Sequence, residues 1–186
     1  RLQCCHSSGG LAWDGAGNLL LSTGDNTNPF DSSGYSPIDE RSGQSPWDAQ
    51  KSASNTNDLR GKVIRIIINN AASSPPYYTI PSGNLFTASA QTKAEIYAMG
   101  FRNPFRIAAD PVTHQVYIGN VGPDASADDP NRGPKGYDEL DTIKYNQPIN
   151  GGWPYCIANN KAYNDYNFAT STSGALFNCA TPINNS

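Results

Sequence analysis

Short apolar runs broken by clusters of Asp, Gly, Asn and Pro dominate the chain. Leu11-Ala12-Trp13 and Leu19-Leu20-Leu21-Ser22-Thr23 flank Asp14-Gly15-Ala16-Gly17-Asn18. The Asp and Gly residues supply the backbone angles of a tight turn, so this stretch predicts a β-hairpin. The arrangement recurs: Arg106-Ile107-Ala108-Ala109 and Gln115-Val116-Tyr117-Ile118 flank Asp110-Pro111-Val112-Thr113-His114, with Gly119-Asn120 following where the first copy has Gly24-Asp25. The two turns lie about two propeller blades apart at ~40–50 residues per blade. One blade is therefore expected between them, with strands at Lys62-Val63-Ile64-Arg65-Ile66-Ile67-Ile68 and Tyr77-Tyr78-Thr79-Ile80, and another is expected to start at Leu140-Asp141-Thr142-Ile143. No segment carries a long 3.6-residue apolar period, so the pattern predicts an all-β radial repeat. Asn26 to Asp58 is polar and reads as a long loop, of the kind that is usually functional or mobile.

Composition narrows the class. With 17 Gly and 14 Pro in 186 residues, a helical bundle or coiled coil is excluded. A formal net charge of -3 with scattered Lys and Arg gives no basic footprint for nucleic acid. No apolar run reaches the ~20 residues of a membrane-spanning helix. The chain starts at Arg1 with neither an initiator Met nor a signal peptide, and reads as a mature form or a fragment, residues 1–186 forming one incomplete domain. The four cysteines, Cys4, Cys5, Cys156 and Cys179, lack the paired spacing of a zinc site. A Cys156–Cys179 disulfide is expected to close a loop of roughly 24 residues holding Asn159, Tyr163 and Tyr166, which implies an oxidising compartment. Cys4 and Cys5 are open to a vicinal bond, to pairing elsewhere, or to being free thiols.

The repeat also places candidate chemistry. His6 precedes the first turn by about as much as Asp25 follows it, so a paired hairpin brings the two together at its open end. A His beside a carboxylate is the arrangement of an oriented general base; a His satisfying loop backbone is the alternative. Arg102 and Asn103 precede the second turn, and Gly122-Pro123 follow it. Equivalent hairpins would set all of these groups on one face. Arg102 is also open to a structural role tying blades together, and Gly122-Pro123-Asp124 to being an ordinary turn. His114 reads as solvated, and Trp153 as a core aromatic rather than a sugar platform. Gly-rich phosphate-binding fingerprints are absent.

Seven short motifs occur in order: His6-Ser7-Ser8-Gly9-Gly10-Leu11, Ser22-Thr23-Gly24-Asp25, Arg60-Gly61-Lys62-Val63-Ile64-Arg65, Gly100-Phe101-Arg102-Asn103-Pro104, Gly122-Pro123, Tyr137-Asp138-Glu139 and Gly152-Trp153-Pro154. Together they resemble the soluble glucose/sorbosone dehydrogenase family of quinoproteins. The resemblance implies about three of the six four-stranded blades of a propeller that holds pyrroloquinoline quinone and Ca2+ in an axial pocket. It further implies that His6 is the catalytic base with Asp25 beside it, that Arg102 and Asn103 contact the quinone, and that the Gly122 and Pro123 carbonyls bind its calcium. Glu139, with Asp138, is implied near a second calcium.

The activity so implied is oxidation of the anomeric hydroxyl of a sugar or aldose, with hydride transfer to the quinone and electrons passed to an external acceptor such as a cytochrome, a quinone or a dye. Calcium and Arg102 would polarise the accepting carbonyl. A secreted or periplasmic location is implied. Cys5 stands where the glucose-oxidising members carry an acid, so their sugar preference does not transfer, and the basic partners of the quinone's carboxylates are expected downstream of this stretch. The alternatives are a non-catalytic calcium-stabilised propeller that binds a glycan or protein, and a calcium-dependent lactonase.

Overall fold

A computed structural model of the chain describes residues 5–7 and 9–184. Twelve strands follow one another: β1 (Leu11–Trp13), β2 (Leu19–Thr23), β3 (Lys62–Ile68), β4 (Tyr78–Thr79), β5 (Ile96–Met99), β6 (Pro104–Ala109), β7 (Val116–Asn120), β8 (Glu139–Ile143), β9 (Cys156–Ile157), β10 (Lys161–Ala162), β11 (Asn164–Asn167) and β12 (Thr172–Leu176). Beyond these, the described residues contain only two single turns of 3-10 helix, Ser45–Trp47 and Ala49–Lys51. The architecture is all-β and propeller-like.

The two predicted hairpins form, and each turn is built around its Asp. Asp14 Oδ1 accepts from the Ala16 and Asn18 amides while its Oδ2 accepts from the Asn18 side chain; Asp110 Oδ1 accepts from the Val112 and Thr113 amides. Such side-chain acceptors replace the backbone partners that a reversing chain loses. His114 is not the solvated residue that its turn position suggested. Its ring lies 4.8 Å from that of Tyr145, and its Nδ1 is buried.

Strands β1, β2, β3 and β5 form an antiparallel sheet, with β4 extending its far edge. Strands β6, β7 and β8 form the second. This corrects the expected separate blade between the hairpins. The 62–68 strand completes the first sheet instead, because its register sets Ile64 opposite Leu21 and Ile66 opposite Leu19, continuing an apolar row across three strands. Likewise β8 completes the second hairpin, pairing along the whole of β7. The sheets pack through Leu20, Val63, Tyr97 and Phe101 on one side and Val116, Ile118 and Ile143 on the other. On the opposite face of the first sheet, Leu11 and Trp13 pair with Leu21 and Leu19 and are 67% and 59% exposed.

The polar 26–58 segment is folded rather than loose. Its Ala49 and Ala53 join Trp153, Ile157 and Tyr163 in a second core. Beneath it Lys62, wholly buried, donates from Nζ to the carbonyls of Ser52, Ala53 and Arg60 at 2.7–2.8 Å. The expected Cys156–Cys179 disulfide is present, with Cα atoms 5.8 Å apart, and the loop it closes folds as the short ribbons β9–β10 and β11–β12. Cys5 is disulfide-bonded. Cys4, whose pairing the sequence left open, lies outside the described residues.

Candidate functional site

The first hairpin delivers His6 and Asp25 to one place. His6 Nδ1 lies 2.8 Å from Asp25 Oδ1, with the His side chain 10% exposed and the Asp side chain fully buried. The segment leading into β1 reaches this point only because residue 24 is glycine: a Cβ there would clash with the His6 carbonyl oxygen. The Asn26 amide closes the loop by donating to that carbonyl at 3.1 Å. Asp25 Oδ1 also accepts from the Thr27 amide at 3.0 Å, and Oδ2 accepts from Trp153 Nε1 at 2.8 Å. Both oxygens of a buried carboxylate are thereby solvated by protein donors, as an ion in this setting requires. With Nδ1–H donating to Asp25, His6 Nε2 is left as the proton-accepting nitrogen.

The second hairpin brings its candidates to the same neighbourhood. The Asp25 amide donates to the Arg102 carbonyl at 2.8 Å. The Arg102 side chain, in a residue 4% exposed, donates from Nη2 to Asp124 Oδ2 at 2.9 Å and from Nη1 to the Val121 carbonyl at 3.4 Å. It therefore clasps the turn that carries Gly122 and Pro123. Asn103 is held by its backbone, its amide donating to Asn120 Oδ1 at 3.0 Å. Its own side-chain Oδ1 is buried with no hydrogen-bond partner among the described residues. An orphaned acceptor of this kind fits a site completed by another group.

Gly122 is fixed by its amide, which donates to Asp138 Oδ1 at 2.9 Å. A Cβ here would stand 1.8 Å from the Tyr137 carbonyl oxygen, so only glycine fits. No backbone amide of the described residues donates to the Gly122 or Pro123 carbonyls, though the Pro123 carbonyl packs against Gly136 so closely that no side chain fits there. Carbonyl oxygens are donors that suit a hard cation such as Ca2+. No group of three or more His, Cys, Asp or Glu suited to a metal occurs among the described residues, so side-chain carboxylates do not build such a site.

Glu139 sits one link away. Its Oε1 accepts from the Ala158 amide at 2.6 Å and its Oε2 from Asn120 Nδ2 at 3.2 Å, so both oxygens already have donors. Burial, helped by the Asp141 charge, pushes its carboxyl up to about 7. Asn120 thus bridges Asn103 to Glu139, a role that no motif announced. Trp153 is a buried core aromatic, as its sequence context suggested, and it also reaches Asp25. That partnership spans 128 positions and left no local signal.

The family model described as Glucose / Sorbosone dehydrogenase matches residues 3–182. An uncharacterized protein of Synechocystis sp. is 29% identical over 168 residues, covering 90% of this chain and 33% of that protein. Aldose sugar dehydrogenase YliI of Escherichia coli is 26% identical over 149 residues, covering 80% of this chain and 29% of that protein. Among solved structures, the PQQ-bound form of aldose sugar dehydrogenase from Streptomyces coelicolor superposes with a TM-score of 0.51 at 20% identity, over 83% of this chain and 32% of that one. The chain spans about a third of the length of these relatives. With the family model matched over nearly its whole length, the chain belongs to the glucose/sorbosone dehydrogenase family.

Proposed function

We propose that the protein containing this chain is a sugar dehydrogenase that uses pyrroloquinoline quinone and Ca2+, and that this chain supplies its proton acceptor and part of its cofactor cradle. The observation that carries the proposal is the His6–Asp25 pair, hydrogen-bonded at 2.8 Å and joined through the Asp25 amide to the backbone of Arg102.

In this reading His6 Nε2 takes the proton of the sugar's anomeric hydroxyl. Asp25 holds the imidazole in the matching tautomer and stabilises the imidazolium as it forms. The quinone, when bound, supplies the hydride acceptor. Arg102 would supply a buried cation to the cofactor site, Asn103 would offer its unpaired Oδ1, and the Gly122 and Pro123 carbonyls would hold the calcium. Glu139 is a lesser candidate for a second cation, since binding one means sharing oxygens with Ala158 and Asn120. An external cytochrome, quinone or dye would serve as the electron acceptor. The bonded cysteines support a secreted or periplasmic location.

The test is reconstitution of the full-length protein with quinone and calcium, followed by dye reduction over a panel of aldoses. Sugar-dependent reduction that needs both additions is expected. Tight sugar or protein binding with no reduction under any condition would instead favour a binding propeller.

A further inference from the structure

We propose that Trp153 is the positioning residue of the His6–Asp25 pair: its indole N–H holds the second oxygen of the Asp25 carboxylate so that the first is presented to the imidazole. This rests on the reading of His6 as the proton acceptor. Asp25 has two side-chain partners, His6 on Oδ1 and Trp153 on Oδ2, each at 2.8 Å. The Asp25 side chain is fully buried, and these two bonds together with the Thr27 amide hold it in place.

The indole itself is rigidly placed. Its residue is 3% exposed, sits among Ala49, Ala53, Ile157 and Tyr163, and meets the Tyr163 ring edge-on at 5.9 Å. Its backbone belongs to a segment laid against the end of β5. Met99 donates to Ile149, Gly151 to Met99 and Trp153 to Gly100, at 2.9–3.1 Å. Gly100 lies two residues before Arg102, whose carbonyl receives the Asp25 amide. One backbone knot therefore fixes Trp153, Asp25 and Arg102 relative to one another.

The chemical consequence follows from charge. An N–H donor at Oδ2 stabilises the carboxylate most when the imidazole is neutral, so it opposes protonation of the pair. Besides His6, Arg60 and Lys62 interact with Asp25 through space and Arg102 neighbours it through the backbone; Arg60 is paired with Asp58 at 2.6 Å and Arg102 with Asp124 at 2.9 Å. None of these donates to Oδ2. Removing the indole donor leaves a buried carboxylate oxygen bare, and the pair then takes up a proton at higher pH.

The experiment uses the full-length, quinone- and calcium-loaded protein. In one variant Trp153→Phe keeps a ring but not the donor. In another, Trp153 is replaced by 3-benzothienylalanine, which keeps the indole shape and lacks the N–H. Both are expected to move the acid side of the pH–rate profile upward by up to about one pH unit, the difference in the bond's strength between the neutral and protonated imidazole, with sugar KM and quinone affinity changed by less than about threefold. Ile157→Ala, in the same core, is expected to lower thermal stability and leave the pH profile in place. Independently of turnover, the 15N-labelled Trp153 indole resonance is expected to move upfield in Asp25→Ala. An unmoved pH profile in both Trp153 replacements overturns the positioning role, and an indole resonance indifferent to Asp25→Ala overturns the link itself. Full turnover in His6→Ala overturns the base reading, and the indole resonance still reports whether Trp153 holds Asp25.

Discussion

The amide of Asp25 donates to the carbonyl of Arg102 at 2.8 Å, tying the open ends of the two hairpins together at the point where both carry charged side chains. The proposed proton acceptor and the proposed cofactor contact are therefore neighbouring but separate groups, which substitutions can separate.

His6→Ala is expected to lower turnover by a factor on the order of 10² to 10⁴, the usual worth of a general base, with quinone binding nearly intact. Asp25→Asn is expected to cost less, because the imidazole remains. Steady-state dye reduction alongside quinone titration separates the two effects.

Arg102→Ala is expected to weaken quinone binding and turnover together. The guanidinium also clasps the 121–124 turn through Val121 and Asp124, so its loss loosens the carbonyl pair as well. Calcium affinity measured by titration calorimetry should therefore fall in this variant and stay unchanged in His6→Ala.

A strong chelator is expected to abolish quinone binding, and added calcium to restore it. A quinone absorbance change that survives complete calcium removal would sink the assignment of the Gly122 and Pro123 carbonyls.

Lys62 sets a pH dependence of stability. Burial pushes its ammonium down to about 7 from an ordinary value of 10.5, so between these values the unfolded chain holds a proton that the folded one has released. Stability is then expected to rise with pH across that window, and below it Lys62 adds no slope because both states hold the proton. Urea midpoints at intervals from pH 6.5 to about 10 check this, and Lys62→Met should flatten the slope.

Replacing both Cys156 and Cys179 with Ala is expected to cost about 3 kcal/mol, the chain-entropy worth of a loop this short. Urea midpoints on the oxidised proteins measure it.

The hairpins were legible because their information is local: Asp14 and Asp110 each open a turn between apolar runs, and such turns need no distant partner. Strand 62–68 was recognisable as a strand but not as a neighbour of β2, since a short apolar run marks a strand and not its partner. The same limit hid the fold of the 26–58 segment, whose buried alanines gain meaning only against Trp153. Within the site, the pairing of His6 with Asp25 followed from symmetric spacing about one turn. The contributions of Asn120 and Trp153 could not follow so, because each acts through contacts made in three dimensions by a residue type with an ordinary structural use.

The uncovered side of the first sheet carries a consequence for synthesis. Leu11 and Trp13 stand beside Leu19 and Leu21 in register, a lattice of greasy side chains with no acid or base among them to discourage another strand. Produced by itself, this polypeptide should light up hydrophobic dyes and gather into particles at concentrations where a full-length relative stays clear, and swapping Trp13 for Lys should delay that clouding without disturbing the Asp14 turn.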